Sequence, residues 1–354
     1  MEELHHRLYE ELAEYVTDIS EDLLKNQALF TQALVFSPDC VLSNLATELP
    51  VDGQRENLIQ RLRRWLKTKK VSQKCCYLPL VKHLLMNWTG SELNLVMDRT
   101  DLENRTSILM LSAAYKHRCL PLAWQVLPFG STKQDVQIEL LEEVRGLVEK
   151  LKDVRVTFYG DAEFRSVDVQ KYCQKQGWHW WLGIMSDTLY HNGDGNWQNL
   201  SSIGLEFGQR QYLNNVILTK RHAYGPVHVI GDWTKRHDTA RYYVSDQIVD
   251  RFTWRRGRKR FWTEPSFRDY KGYGFDLEKS HIVDTDRLDR LILAMATALL
   301  WIIHIGQWLT HSEKRHLLEA THKRDYSLFR LGRDYARRSR VNGWTLPIGF
   351  NVLH

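Results

Sequence analysis

The sequence predicts an α/β protein in which a mixed sheet, split by a β-rich insertion, follows an all-helical N-terminal domain. Three observations lead there. Apolar residues recur at helical spacing through the first 75 positions, and three strands, a helix, a strand, a helix and a strand succeed one another from residue 92 to 184. A glycine- and aromatic-rich, strand-like stretch then runs from 187 to 245.

In the first segment the helical stripe is carried by Leu23, Leu24, Ala28 and Leu29, and again by Leu58, Leu62, Trp65 and Leu66. Turn signals at Ser37-Pro38-Asp39 and at Pro50 to Gly53 separate these helices. The last of them, RENLIQRLRRWLKTKK, has one apolar stripe and one basic face bearing Arg61, Arg64 and Lys67. A solvated face and a DNA-contacting helix are both compatible with that pattern, since short helices joined by turns are what a small DNA-binding unit requires.

ELNLVMD (92–98) reads as a buried strand ending on an acid, and SILMLSAAY (107–115) and LPLAWQVLP (120–128) extend it into an antiparallel meander. Ser131 or Thr132 caps a helix over 133–151. VRVTFYGD (154–161) is a fourth strand, again closed by an acid. A helix over 166–176 and the strand WHWWLGI (178–184) complete the order of an RNase H-like fold. VHVIGDW (227–233) and ARYYVSD (240–246) mark the insertion; helices are expected at 246–256, 264–272 and 285–310. The domain reading is therefore 1–75 helical and DNA-binding, 76–186 core, 187–245 insertion, 246–312 core again, and 313–354 a basic C-terminal region.

Hydrophobic residues make up 43% and charged residues 26% of the 354, enough apolar material for a sizeable core. The formal charge of +6 is modest, but basic residues concentrate at 55–70, 251–260 and 323–340, which favours a polyanionic partner. Thirteen Trp and fifteen Tyr fill cores and can also supply stacking surfaces for bases. Five cysteines without a Cys-x-x-Cys pair suggest neither a disulfide framework nor a zinc site, and place the chain in a reducing cytoplasm. The start is an amphipathic helix and not a signal peptide. The most apolar run, Leu291 to Ile303, is too short to span a bilayer, so no membrane partner is expected.

Asp98 and Asp161 close two strands that would be neighbours, so their carboxylates would meet at one edge of the sheet. Carboxylate oxygens suit Mg²⁺, and two such ions can activate an attacking hydroxyl and stabilise a leaving oxygen in phosphodiester chemistry. For either residue alone, a turn or helix cap is the more ordinary role.

In RKRFWTEPSFRDYKGYGFDLE (258–278) the chain resembles the bacterial insertion-sequence transposases of the DDE type that bear a tyrosine–arginine–glutamate–lysine signature. There the arginine precedes the glutamate by four positions and the lysine follows by seven, which Arg260, Glu264 and Lys271 match. The tyrosine position is Gly257, a departure for which Tyr270 or Tyr273 could compensate. MDRTDL and YGDAEF resemble the first and second acid motifs, the latter with Ala162 and Glu163 in place of the commoner arginine and glycine; Glu163 is thus a rival to Asp161.

The resemblance implies a catalytic and metal-binding triad of Asp98, Asp161 and Glu264, and Mg²⁺ as cofactor with Mn²⁺ able to substitute. The implied partners are double-stranded DNA at element ends and target, and a second copy of the chain in a synaptic homodimer. Helical spacing puts Glu264, Arg268 and Lys271 on one face, the cations being expected on DNA phosphates together with Arg260. Trp233 and Trp254 are the aromatic candidates for stacking a flipped base. A nuclease or resolvase on the same fold, and a domesticated non-catalytic DNA-binding protein, are the competing readings.

Overall fold

The computed structural model describes residues 2–103, 105–234, 238–272, 274–320 and 322–352. Six helices precede the first strand: α1 (Glu2–Ala13), α2 (Glu21–Phe36), α3 (Leu42–Thr47), α4 (Arg55–Lys67), α5 (Gln73–Cys76) and α6 (Leu78–Met86). On α4 the sequence periodicity translates directly into burial. Ile59, Leu62, Trp65 and Leu66 point inward, the Trp65 indole donates to the Leu23 carbonyl (3.2 Å), and Arg64 and Lys67 stay exposed. These helices share one core with the sheet: Leu8, Leu34, Trp65 and Leu84 belong to the same continuous apolar cluster as Leu95 and Phe158 on its strands.

The strands are β1 (Glu92–Leu102), β2 (Thr106–Tyr115), β3 (Arg118–Pro128), β4 (Arg155–Gly160), β5 (His179–Ile184), β6 (Leu189–His191), β7 (Gln198–Asn199), β8 (Arg210–Leu218), β9 (Tyr224–Asp232) and β10 (Arg241–Ser245). They form one ten-stranded sheet in the order β3-β2-β1-β4-β5-β10-β9-β8-β6-β7. β1, β2 and β3 are an antiparallel meander, β4 and β5 lie parallel to β1, and β10 adds antiparallel to β5. The crossovers between the parallel strands are α7 (Gln134–Val148) and α8 (Val167–Lys175).

Strand alternation sorts the two faces. Leu93, Leu95 and Met97 join Phe158, Trp180 and Leu182 in the large core, where α7, α8 and the long α11 (Thr285–His311) also bury their apolar sides. The opposite parity, Val96, Tyr159, Trp181, Ile230 and Tyr243, builds a second, smaller cluster against Trp254 and Trp262. Those two tryptophans belong to α9 (Trp254–Gly257) and to the 3₁₀ turn at Arg258–Trp262 that leads into α10 (Thr263–Lys271).

Helix α11 matches the helix expected over 285–310 and, at 27 residues, is long and apolar enough to cross a membrane, yet 89% of its apolar window is buried inside the protein. It packs against α12 (Leu328–Asn342) through glycines. A Cβ on Gly332 would come within 1.9 Å of the Ile302 carbonyl oxygen, and one on Gly306 within 2.2 Å of that of Leu328. The last residues of the C-terminal region lie against α11, with Leu346, Phe350 and Val352 buried and the Trp301 indole donating to the Pro347 carbonyl (2.9 Å).

Three local expectations are corrected. β1 does not end at Asp98 but runs on to Leu102, because its pairing with β2 continues through Leu102↔Thr106. Residues 246–253 are not helical: the Asp250 carboxylate accepts the backbone N–H groups of Phe252 and Thr253, an Asx turn that delays helix until Trp254. Thr132 does not cap α7, whose N-cap residue is Lys133; its N–H and hydroxyl both donate to Glu163.

Candidate active site

Parallel pairing of β1 with β4 runs to Val96↔Tyr159, and Asp98 and Asp161 each lie two residues beyond that pair, Asp161 just past the end of β4. By alternation Asp98 lies on the face of Val96, the face that carries α9 and α10. The two charges are close enough to act on each other. Asp98 has its pKa raised: burial is the largest cause and the Asp161 charge adds to it, against the opposing effects of the Thr263 hydroxyl, the Arg260 guanidinium and the Arg99 N–H. Thr263 Oγ1 donates to Asp98 Oδ2 at 2.5 Å, and the Arg99 N–H to Oδ1 at 2.9 Å. Asp161 accepts the Glu163 N–H (2.8 Å), which turns the chain out of β4 into a 3₁₀ turn.

Helix α10 is stapled to the sheet along its length. Thr263 binds Asp98, Ser266 Oγ accepts the Cys119 N–H (2.7 Å), Asp269 pairs with Arg118 (2.7 Å), and the Lys271 ammonium donates to the Asp101 carbonyl. Just before it, Lys259 reaches Glu92 (2.9 Å) and Asn94 (3.1 Å) on β1. Pro265 is tolerated because it lies in the first turn, where its missing N–H has no helical acceptor to lose.

Glu264, next to Thr263, is exposed and opens onto a cleft of about 1100 Å³ between α9–α10 and the insertion strands. Arg210, Arg241, Arg258 and Lys259 line that cleft together with Trp254 and Trp262, a basic wall interleaved with flat rings. The Arg210 guanidinium lies 4.5 Å from the Trp254 ring centroid and its Nε binds the buried Asp232 carboxylate. Tyr243 meets Trp254 edge-on at 5.7 Å, and Trp262 packs on His117 at 4.8 Å.

The sequence-derived candidates are thus distributed unequally. Asp98 and Asp161 come together, and Arg260 joins them electrostatically, its buried Nε having no hydrogen-bond partner. Glu264 shares their helix contact but faces the basic cleft; among the described residues no three His, Cys, Asp or Glu side chains gather closely enough to hold a metal ion. Glu163 turns away, to Thr132 and Arg99 (3.3 Å). Lys271 is engaged by the end of β1 and by Glu278 (3.6 Å), and Arg268 lines a different cleft beside α12. Trp254 lines the basic cleft, whereas Trp233 packs on Phe207 (6.3 Å) and the large core; Lys235 and Arg236 beside it lie outside the described residues. On α4, Arg61 is tied to Asn26 (2.6 Å).

Of the two residues considered for the absent tyrosine, Tyr270 is buried at 3% exposure, and Tyr273 lies outside the described residues. Sequence reasoning missed Thr263, Arg210, Arg241 and Trp181. Arg258 and Lys259 lay in the visible basic run 251–260, whereas Arg210 and Arg241 sit on strands whose pairing alone brings them to the cleft.

The donor set fits a hard divalent cation. Two partly buried carboxylates stand two residues beyond the last β1–β4 pair, each with one oxygen already oriented by a backbone N–H, and oxygen is the ligand hard cations prefer; the Cys119 thiol near Asp98 has its pKa raised by burial, which keeps it protonated and a poor ligand.

A family profile described as the transposase DDE domain matches residues 97–301. The chain belongs to that family. The match begins one residue before Asp98, ends inside α11, and contains Asp161, Glu264 and the whole β6–β10 insertion. No curated protein matches the chain. Among solved structures, the cryo-EM structure of a piggyBac transposase synaptic complex with hairpin DNA is similar at a TM-score of 0.41 and 12% identity, over 95% of this chain and 79% of that one.

Proposed function

We propose that the chain is a DNA transposase with an RNase H-like core, of the bacterial insertion-sequence type, that cuts phosphodiester bonds at the ends of its element and joins the freed 3′-hydroxyls to target DNA. The observation that carries this reading is the parallel pairing of β1 with β4, beyond whose last pair Asp98 and Asp161 each lie two residues on, with the Glu264-bearing helix fastened to Asp98 through Thr263, inside a DDE transposase match. DDE transposases generally use divalent metal ions; here Asp98 and Asp161 would hold Mg²⁺, with Glu264 as the third ligand. When bound, such ions activate the attacking oxygen and neutralise charge on the leaving one.

The chain's own residues do the rest. Thr263 orients the Asp98 carboxylate, and Arg260 supplies positive charge beside it. Arg210, Arg241, Arg258 and Lys259 offer a basic wall to the DNA backbone, where Trp254 can receive an unstacked base. Pairing two element ends would engage two copies of the chain, and the cysteine usage accords with a reducing cytoplasm.

The test is cleavage of a duplex carrying the element's end in Mg²⁺ by Asp98→Asn, Asp161→Asn and Glu264→Gln proteins. Each is expected to lose strand cleavage while keeping most DNA affinity, which comes from phosphate contacts elsewhere. Full cleavage by any of the three would remove that residue from the site. Transfer of the cut end to a target plasmid separates a transposase from a nuclease.

A further inference from the structure

A second basic cleft, of about 430 Å³, lies between α10 and α12 and is lined by five arginines against two aspartates. Each aspartate is already taken: Asp269 by Arg118 at 2.7 Å, and Asp334 by Arg330 at 3.4 Å. The positive charge left over is held unusually. Arg333 is 5% exposed, and its terminal nitrogens donate only to neutral carbonyls, those of Gly274 (2.6 Å), Ser37 (2.9 Å) and Pro38 (3.1 Å). Arg337 likewise donates to the Ser37 carbonyl (2.7 Å). In both, the buried Nε has no hydrogen-bond partner. Arg268 is exposed and makes no side-chain hydrogen bond or ion pair among the described residues.

Holding a buried and a half-buried guanidinium side by side is costly unless an anion answers them. The cost is visible in Arg333, whose pKa falls to about 10 through burial and the neighbouring Arg337 charge, although Asp334, Asp269 and Asp39 act the other way. Forked guanidinium donors match the tetrahedral oxygens of a phosphate better than any other common anion.

We infer that this cleft binds a phosphate of the DNA backbone, at a step beyond the scissile one. The placement favours DNA over a free anion. Arg268 follows Glu264 by four residues on α10, about 6 Å along the helix axis, while phosphates along one strand advance by about 3.4 Å each. A strand that runs along α10 from a scissile phosphate at the acids therefore reaches this cleft within one or two phosphates. The C-terminal region thereby becomes part of the DNA path through α12. The inference rests on the proposed transposase reading for its DNA, but its test does not use cleavage.

Binding of a 40-bp duplex without element sequence is measured by fluorescence anisotropy over a range of NaCl concentrations. The full chain is compared with Arg268→Gln/Arg330→Gln, two exposed positions that spare the buried arginines, and with Arg105→Gln/Arg145→Gln, which removes the same charge elsewhere. Loss of one phosphate contact should flatten the slope of log K on log salt by about 0.9, and cut affinity roughly eightfold at 0.1 M salt, in the cleft variant alone. Equal slopes for the cleft variant and the full chain would overturn the inference, as would an identical change in the control variant. Stabilisation by inorganic phosphate at matched ionic strength, with the DNA slope unchanged, would mark a free-anion site and also overturn it. Retention of both cleavage and transfer by all three acid variants would overturn the proposed function instead and leave this result standing.

Discussion

Gly257 lies against the indole of Trp181: a Cβ on that glycine would stand 2.3 Å from Nε1 and 2.6 Å from Cε2. Trp181 belongs to the small apolar cluster beneath the acids, so the volume a tyrosine would need at position 257 is filled from β5. Gly257→Ala should destabilise the protein by about 1–3 kcal/mol through overpacking. Trp181→Phe, which lacks the offending atoms, should recover part of that loss in the double variant. Urea denaturation of the four proteins of the cycle checks this; additive losses would show that the two residues do not compete for space.

Thr263→Val keeps the shape of α10 at its first turn but removes the hydroxyl that donates to Asp98. Because that bond lowers a pKa already raised by burial, its loss should raise Asp98 further. Metal binding needs the ionised carboxylate, so the acid limb of the cleavage rate should move to higher pH. A rate loss uniform across pH would assign Thr263 a purely structural part.

Asp269 gives stability a pH dependence of definite sign. Burial outweighs its pairing with Arg118 and raises its pKa from 3.8 to about 6. Below pH 3.8 the carboxyl is protonated folded or unfolded. Between there and about pH 6 only the unfolded chain ionises, so stability falls as pH rises, then levels off. The shift of about two units corresponds to roughly 3 kcal/mol. Relative to Asp269→Asn, the natural protein should therefore be more stable at about pH 4 than at about pH 7, as thermal melts at both pH values would reveal. A constant difference would mean that Arg118 holds the carboxylate ionised throughout.

Trp254→Ala should leave first-strand nicking intact and impair the step after it, since nicking needs only the acids and a paired end. The loss of one stacked base is worth about 1–3 kcal/mol. Trp233→Ala, whose ring packs on Phe207 away from the cleft, should affect stability more than progress to the double-strand break. Time courses on a labelled end decide between them; the reverse pattern would move the stacking role to Trp233.

On α4, replacing Arg64 and Lys67 by Ala should flatten the salt dependence of DNA binding by roughly 0.9 for each lost phosphate contact. Arg61→Ala should change it less, because Arg61 is already engaged with Asn26. No change in slope for the first pair would make this a solvated face.

The acids and their strands were legible because a buried strand that ends its apolar run on a carboxylate is a local pattern, and β1 and β4 each carry it. The register that sets Asp98 and Asp161 each two residues beyond the last β1–β4 pair is not local, and neither is the continuation of β1 to Leu102, which β2 dictates. Helix α10 was legible from its proline and its spacing, but its four attachments to β1 and β3 involve partners more than 140 residues away and leave no trace in the motif itself. The same holds for the second cleft: the basic character of residues 323–340 could be read, but neither the helix there nor the burial of Arg333 against the carbonyls of residues 37 and 38.

The pairing of β10 with β5 has a consequence for the edge of the core sheet. Without residues 187–245, β5 would be the outermost strand of the core, with the sequence WHWWLGI and an open row of amide and carbonyl groups. A bare apolar edge of that kind recruits strands from other molecules. The stretch read from sequence as an insertion is therefore also the guard of the core's edge. A protein trimmed of it would be expected to aggregate before any question of DNA arose.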